Sequence, residues 1–139
     1  MQTFLPYTDF AGSAACLDRQ RLGKQRVESF QILRALRGES KGWTNHPATQ
    51  MWRGFESALE QYMRCCIVEW VRRGYKNNML VPAESWSFES PWWLGEPAFH
   101  ASHRSNLIRK MPEHYGTFGW DQNPNIPYWW PSEHEGERL

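Results

Sequence analysis

Three observations predict an all-α fold for this 139-residue chain, built as one compact domain of about three helices with long aromatic, Pro-rich loops. Apolar residues recur at helical spacing in three stretches. Capping or breaking residues bound each stretch. No segment alternates apolar and polar residues well enough to propose a strand. The length suits a single domain with a core of its own.

The first predicted helix starts near Ser13 or Ala14, with Gly12 and Ser13 as capping candidates, and ends by Gly38. The second runs from Pro47, suited to a first turn, to Arg73, with Gly74 suited to a left-handed stop. Its apolar positions, among them Met51, Phe55, Leu59, Tyr62, Cys66, Ile67 and Trp70, cover more than one stripe, so it is expected to be the buried central helix. The third starts near Pro97 and stops before Pro112. Residues 75–95 and 115–131 hold Pro, Gly, Asn and paired Trp, the composition of ordered loops packed by their own side chains. The domain is expected to span residues 1–131, with 132–139 as an acidic, flexible tail.

Three cysteines, Cys16, Cys65 and Cys66, form no even-numbered disulfide framework and point to a reducing compartment. The vicinal pair reads as small core hydrophobes. The start MQTFLPYTDF has no cationic stretch leading into an apolar one, and no run approaches membrane-spanning length. A cytoplasmic protein without a membrane partner is expected.

Net charge is only +1, but its distribution is uneven. Residues 17–41 carry Arg19, Arg21, Lys24, Arg26, Arg34, Arg37 and Lys41 against Asp18, Glu28 and Glu39, a local excess of four cations. In helical projection Leu17, Leu22, Ile32, Leu33 and Leu36 share one face, and Arg19, Arg26, Arg34 and Arg37 lie opposite. Glu28 falls between Leu17 and Ile32, flanked by Arg21 and Lys24. Partial burial there raises a carboxyl pKa and the nearby cations lower it. Catalytic carboxylates and structural ion pairs share that balance.

Further cations stand at the ends of the other helices: Arg72, Arg73 and Lys76 after the second, Arg104, Arg109 and Lys110 on the third. The aromatic run from Tyr115 through Trp120 to Trp130 follows. Cations bind phosphates whatever the sequence, and flat side chains stack on unpaired bases. Enzymes that act on a base must first take it out of the stack. Solvated faces and a packed aromatic mini-core would give the same pattern. His100 and His103, with His46 or His114, could hold a metal, but without HExxH or paired CxxC the reading favours neither metal nor cofactor.

The pattern LD-x-x-x-L-x-x-x-x-x-E at Leu17, Asp18, Leu22 and Glu28 resembles the first helix of the pyrimidine-dimer DNA glycosylases, the endonuclease V-type excision enzymes of phages and some bacteria. The resemblance continues with NHP at Asn45–Pro47, with IVEWVRRGYKN at 67–77 and with SHRSNLIRKMPEHY at 102–115, in the same order and at similar spacing. It implies a compact all-α DNA repair enzyme, a DNA glycosylase with AP-lyase activity, that acts as a monomer on double-stranded DNA carrying a flipped or damaged nucleotide. In that family the chain's own α-amino group is the nucleophile. Such a group titrates at about 7.7–8.0, so part of it is neutral near neutral pH without a metal.

The catalytic set it implies here is Met1, Glu28, Arg21 and Arg26. Arginine directly precedes the glutamate in the best-known member, whereas this chain has Val27 there and Arg26 one residue earlier. The second residue, Gln2, is bulky enough to keep the initiator in place, which leaves the amine on Met1. Arg19, Lys24, His46, Arg72, Arg73, His103, Arg104, Arg109, Lys110, Tyr115 and Trp120 are the expected DNA contacts. Two alternatives stay open: a relative acting on another hypermodified pyrimidine, and a DNA-binding module without chemistry.

Overall fold

The chain is all-α, as the pattern predicts, in a computed structural model that describes residues 1–120 and 123–137. Among the described residues there are six α-helices and no strand: α1 Phe10–Cys16, α2 Arg19–Leu36, α3 Pro47–Gln50, α4 Glu56–Arg72, α5 Pro97–Lys110 and α6 Pro112–Tyr115. Three short 3-10 turns follow, at Gly116–Phe118, Pro131–Glu133 and Glu135–Glu137. The expected acidic tail thus carries two of these turns, and its last two residues lie outside the described ones.

The three longest helices correspond to the three stretches, and the first two are each interrupted. The first does not run unbroken from Ser13 to Gly38. Leu17 and Asp18 are extended (ψ 142° and 160°), and Asp18 caps a new helix by accepting from the Arg21 N–H at 3.3 Å. The break is held from outside, because Arg73 donates to the carbonyls of Ala15 (3.0 Å) and Leu17 (2.8 Å) at the end of α1. Nor do Gly12 and Ser13 cap α1. Asp9 does, accepting from the Gly12 N–H at 2.8 Å, as a short carboxylate before the first turn is suited to do. The second stretch splits where Gly54 takes φ +86°, a left-handed value that only glycine adopts cheaply. The third begins at Pro97 and ends before Pro112.

Helix α4 is central. Leu59, Tyr62, Met63, Cys66 and Ile67 are buried against Leu22, Ile32 and Leu33 of α2 and Phe10 and Ala14 of α1. Trp52, Trp93 and Phe99 extend this core, with the Trp52 and Trp93 rings edge to face at 4.9 Å. Each fully buried large apolar side chain contributes roughly 1.5–3 kcal/mol. Cys66 lies inside this core and Cys65 is half-buried at its edge. Among the described residues no helix is long and apolar enough to cross a membrane.

Candidate active site

Residues 2–6 are buried although they form neither helix nor strand. An irregular segment inside a protein must find partners for its backbone groups elsewhere. Here side chains supply them. The Gln2 carbonyl accepts from Gln25 Nε2 at 2.7 Å, and the Phe4 N–H donates to Gln25 Oε1 at 2.9 Å. The Tyr62 hydroxyl lies 2.9 Å from the Phe4 carbonyl and 2.5 Å from Gln25 Oε1. The Leu5 N–H donates to His103 Nδ1 at 2.9 Å, and the Leu5 carbonyl accepts from His100 Nδ1 at 2.7 Å. His100 Nε2 in turn accepts from the Gly95 N–H at 2.9 Å, which places the His100 proton on Nδ1. Arg104 donates to the Pro6 carbonyl at 2.6 Å, and Trp52 Nε1 donates to the Thr3 hydroxyl at 3.0 Å. First residues ordinarily fray. These are fixed from three sides.

This mount delivers Met1 to a cleft of about 330 Å³ lined by Met1, Gln2, Arg21, Lys24, Glu28, Lys110 and Tyr128, among others. Glu28 is half-buried and accepts from Gln25 Nε2 at 3.0 Å. Burial pushes its carboxyl above the usual range. The Met1 ammonium, the Gln2 N–H, Lys24 and Gln25 pull the other way and offset burial only in part. Partial desolvation and then the charges of Arg21 and Arg109 lower the pKa of the exposed Lys110, and Lys110 and Arg21 share the rim with Lys24. Such a rim suits a phosphate. Glu28 and Lys24 also border a shallower groove of about 480 Å³ on the adjoining face of α2, lined by Trp70.

The remaining sequence-predicted residues divide. Arg21 lines the cleft while pairing with Asp18 at 3.0 Å. Exposed Arg19 borders the Trp70 groove. His46 caps α3 through Nδ1, accepting from the Ala48 N–H at 3.0 Å, with the Trp130 ring against it. Burial, then the charge of the Met1 ammonium, lowers its pKa. Arg26 is not part of the cleft wall. Its guanidinium lies 4.5 Å over the Trp70 ring and donates to Asn77 at 2.7 Å. Arg72 and Arg73 both bind Glu69, at 2.6 and 2.8 Å. Arg109 holds the Pro124 carbonyl at 3.1 Å. Trp120 stacks on Phe118 and on Tyr115, three rings in mutual contact, and donates to the Tyr7 hydroxyl at 2.8 Å.

Two expected DNA contacts are corrected outright. His103 is 1% exposed and Tyr115 is fully buried, so neither can meet a nucleic acid. His103 is spent on Leu5, and Tyr115 binds the carboxylate of Asp18 while accepting from the Asp18 N–H at 3.0 Å. The four histidines form no metal site either. Among the described residues no three His, Cys, Asp or Glu side chains cluster to hold an ion.

Gln2, Gln25 and Tyr128 were missed. Gln25 had a signal: it projects onto the apolar face of its helix, beside Ile32, where an uncharged polar residue must be hydrogen-bonded to something specific. Tyr128 comes from a loop whose position the sequence does not reveal.

A helical scaffold carrying an amine, a raised carboxylate and a cationic rim around one cleft has the features of an enzyme that works on a polyanion. The chain matches the model of the pyrimidine dimer DNA glycosylase family over residues 1–83 of 139, and it belongs to that family. The matched span holds Met1, Arg21, Lys24, Gln25 and Glu28, whereas Lys110 and Tyr128 lie beyond it. No curated protein and no solved structure matches the chain.

Proposed function

We propose that this protein is a pyrimidine-dimer DNA glycosylase with AP-lyase activity, in which the α-amino group of Met1 is the nucleophile and Glu28 the catalytic carboxylate. The observation that carries the reading is the buried, side-chain-bonded segment 2–6, which holds Met1 at the same cleft as Glu28. Ordering an irregular terminus costs about 1–2 kcal/mol per residue in backbone entropy, a cost with a clear use if the amine reacts.

In the proposed reaction the neutral amine attacks C1′ of the lesion nucleotide. The C1′–N glycosidic bond breaks and its electrons leave with the base. The sugar ring opens as nitrogen and C1′ form an imine. Loss of a C2′ proton then breaks the C3′–O bond and releases the 3′ strand as a phosphate. Glu28 is suited to two of these steps. Its anion stabilises positive charge developing on the sugar, and its raised pKa suits it to accept the C2′ proton. Lys24, Lys110 and Arg21 would hold the flanking phosphates of a double strand whose damaged nucleotide is turned into the cleft. No step requires a metal or cofactor.

Borohydride reduction in the presence of DNA containing a pyrimidine dimer or an abasic site tests the proposal. A covalent adduct mapping to Met1 is expected, lost on N-terminal acetylation. Adduct formation that survives acetylation would move the nucleophile to a lysine.

A further inference from the structure

The proposed reaction gives Gln25 no chemical step, yet this residue connects the two reacting groups. Its carboxamide is 1% exposed. One Nε2 hydrogen goes to the Gln2 carbonyl at 2.7 Å and the other to Glu28 Oε2 at 3.0 Å. Oε1 faces the Phe4 N–H at 2.9 Å and the Tyr62 hydroxyl at 2.5 Å. Only one orientation of the amide satisfies these partners. Turned over, Oε1 would meet two oxygens and Nε2 would meet another N–H, and an unmatched buried polar group costs about 1–3 kcal/mol.

We infer that Gln25 is the positioning residue of this site: its buried amide ties the Glu28 carboxylate to the Gln2 carbonyl and so fixes the gap in which a sugar carbon meets the Met1 amine. The inference rests on the proposed roles of Met1 and Glu28. The Gln2 carbonyl is one residue from the amine, so a hydrogen bond there restrains the nucleophile directly. The bond to Glu28 favours its anion, alongside the charges of Met1 and Lys24. Tyr128 faces Glu28 from the aromatic loop and Arg21 from the same helix, and the charges of both Arg21 and Glu28 act on the Tyr128 hydroxyl. Against these, Gln25 supplies direction rather than charge.

The test uses the full chain and two substitutions. Gln25→Glu keeps the shape and the acceptor but replaces the donor by an oxygen facing Glu28. Gln25→Met keeps the bulk and removes both functions. Carboxyl-carbon NMR of Glu28 in the DNA-free protein should show its midpoint rise in both variants by about one pH unit, a tenfold change in the ionisation constant. The acid limb of the kcat/KM profile should move with it, and kcat on the acid side of that limb should fall about tenfold with KM within about twofold. Trp93→Phe, which loses a buried bond to the Met51 carbonyl, controls for stability and should leave the midpoint in place. An unmoved Glu28 midpoint in whichever Gln25 variant folds overturns the inference. Wild-type protein that forms no imine would strike the catalytic assignment instead, and the NMR titration would still report on Gln25.

Discussion

Residues 2–7 and 123–129 are both irregular, and both are hung on α5, but in different ways. The first segment is bonded to α5 through His100, His103 and Arg104, and also to α2 and α4 through Gln25 and Tyr62. Among the described residues the second takes its backbone hydrogen bonds from α5, while the Trp129 ring also packs on Trp92 and His134. Ser102 accepts from the Trp129 N–H at 3.1 Å, Ser105 from the Ile126 N–H at 3.0 Å, and Asn106 donates to the Ile126 carbonyl at 3.2 Å. The outer face of this second segment is half-exposed. A backbone hydrogen-bonded to three helices is held more firmly than one whose bonds run to a single helix. The first carries the amine, and the second supplies Tyr128 to the cleft wall. Rigidity is concentrated where the proposed chemistry needs it.

Chemistry at the rigid segment should give the largest effects. Glu28→Gln is expected to cut glycosylase and lyase turnover by about 10²–10⁴-fold, the usual worth of a catalytic carboxylate, with the thermal midpoint little changed. Single-turnover assays on dimer-containing duplex would decide it. Turnover within about threefold of wild type would remove Glu28 from the mechanism.

Next comes the mount itself, which acid should loosen. Burial, and then the charges of His100 and Arg104, push His103 down from 6.5 to about 3. His100 is lowered too, by burial first. A histidine whose folded pKa is depressed favours folding while neutral. Its contribution is therefore complete above pH 6.5 and is lost as pH falls from there toward 3. Each pH unit in that window should cost up to about 1.4 kcal/mol for His103. Protonation also takes the acceptor from the Leu5 N–H. Urea melts between pH 7 and 4 should show this slope, and His103→Gln should flatten it. A slope unchanged by the substitution would assign acid sensitivity to other groups.

Much of the frame was legible in the sequence because periodicity and punctuation coincide. Pro97, Gly38 and Gly74 mark helix ends where the structure has them, and Glu28 projects to the edge of the apolar face, where it is half-buried. The breaks at Leu17–Asp18 and at Gly54 were not legible, since local helical preference says nothing of the partners that hold an interruption, here Arg73 and Tyr115. Helix α5 misled most. His103 was expected among the DNA contacts, yet His100, Ser102, His103, Ser105 and Asn106 are all buried. A helix can hide polar residues when its neighbours are irregular backbone, because those neighbours need side-chain partners that a sheet or helix would not.

The aromatic side of the comparison should respond to lost rings more than to lost hydrogen bonds. Trp120→Phe keeps the stack on Tyr115 and Phe118 and gives up one bond to Tyr7, a loss of about 0.5–1.5 kcal/mol. Trp120→Ala should cost about 3–5 kcal/mol if the ring is packed as a core side chain is, and less in proportion to its exposure. Thermal melts of the pair give the ratio, and equal losses would mean that the hydrogen bond, not the stack, holds this loop.

The smallest effect is expected at the rim. Lys110 stands among cations, is exposed and has no anionic partner among the described residues, which leaves its ammonium open to a phosphate. Lys110→Ala should weaken binding to lesion and undamaged duplex alike, lower the slope of log K against log salt by about 1, and leave single-turnover chemistry at saturating DNA nearly intact. A loss confined to the chemical step would place Lys110 among the reacting groups. The mount would then not be the cleft's one source of a reactive amine, and the contrast between a fixed chemical side and a less firmly held wall would have to be redrawn around α5.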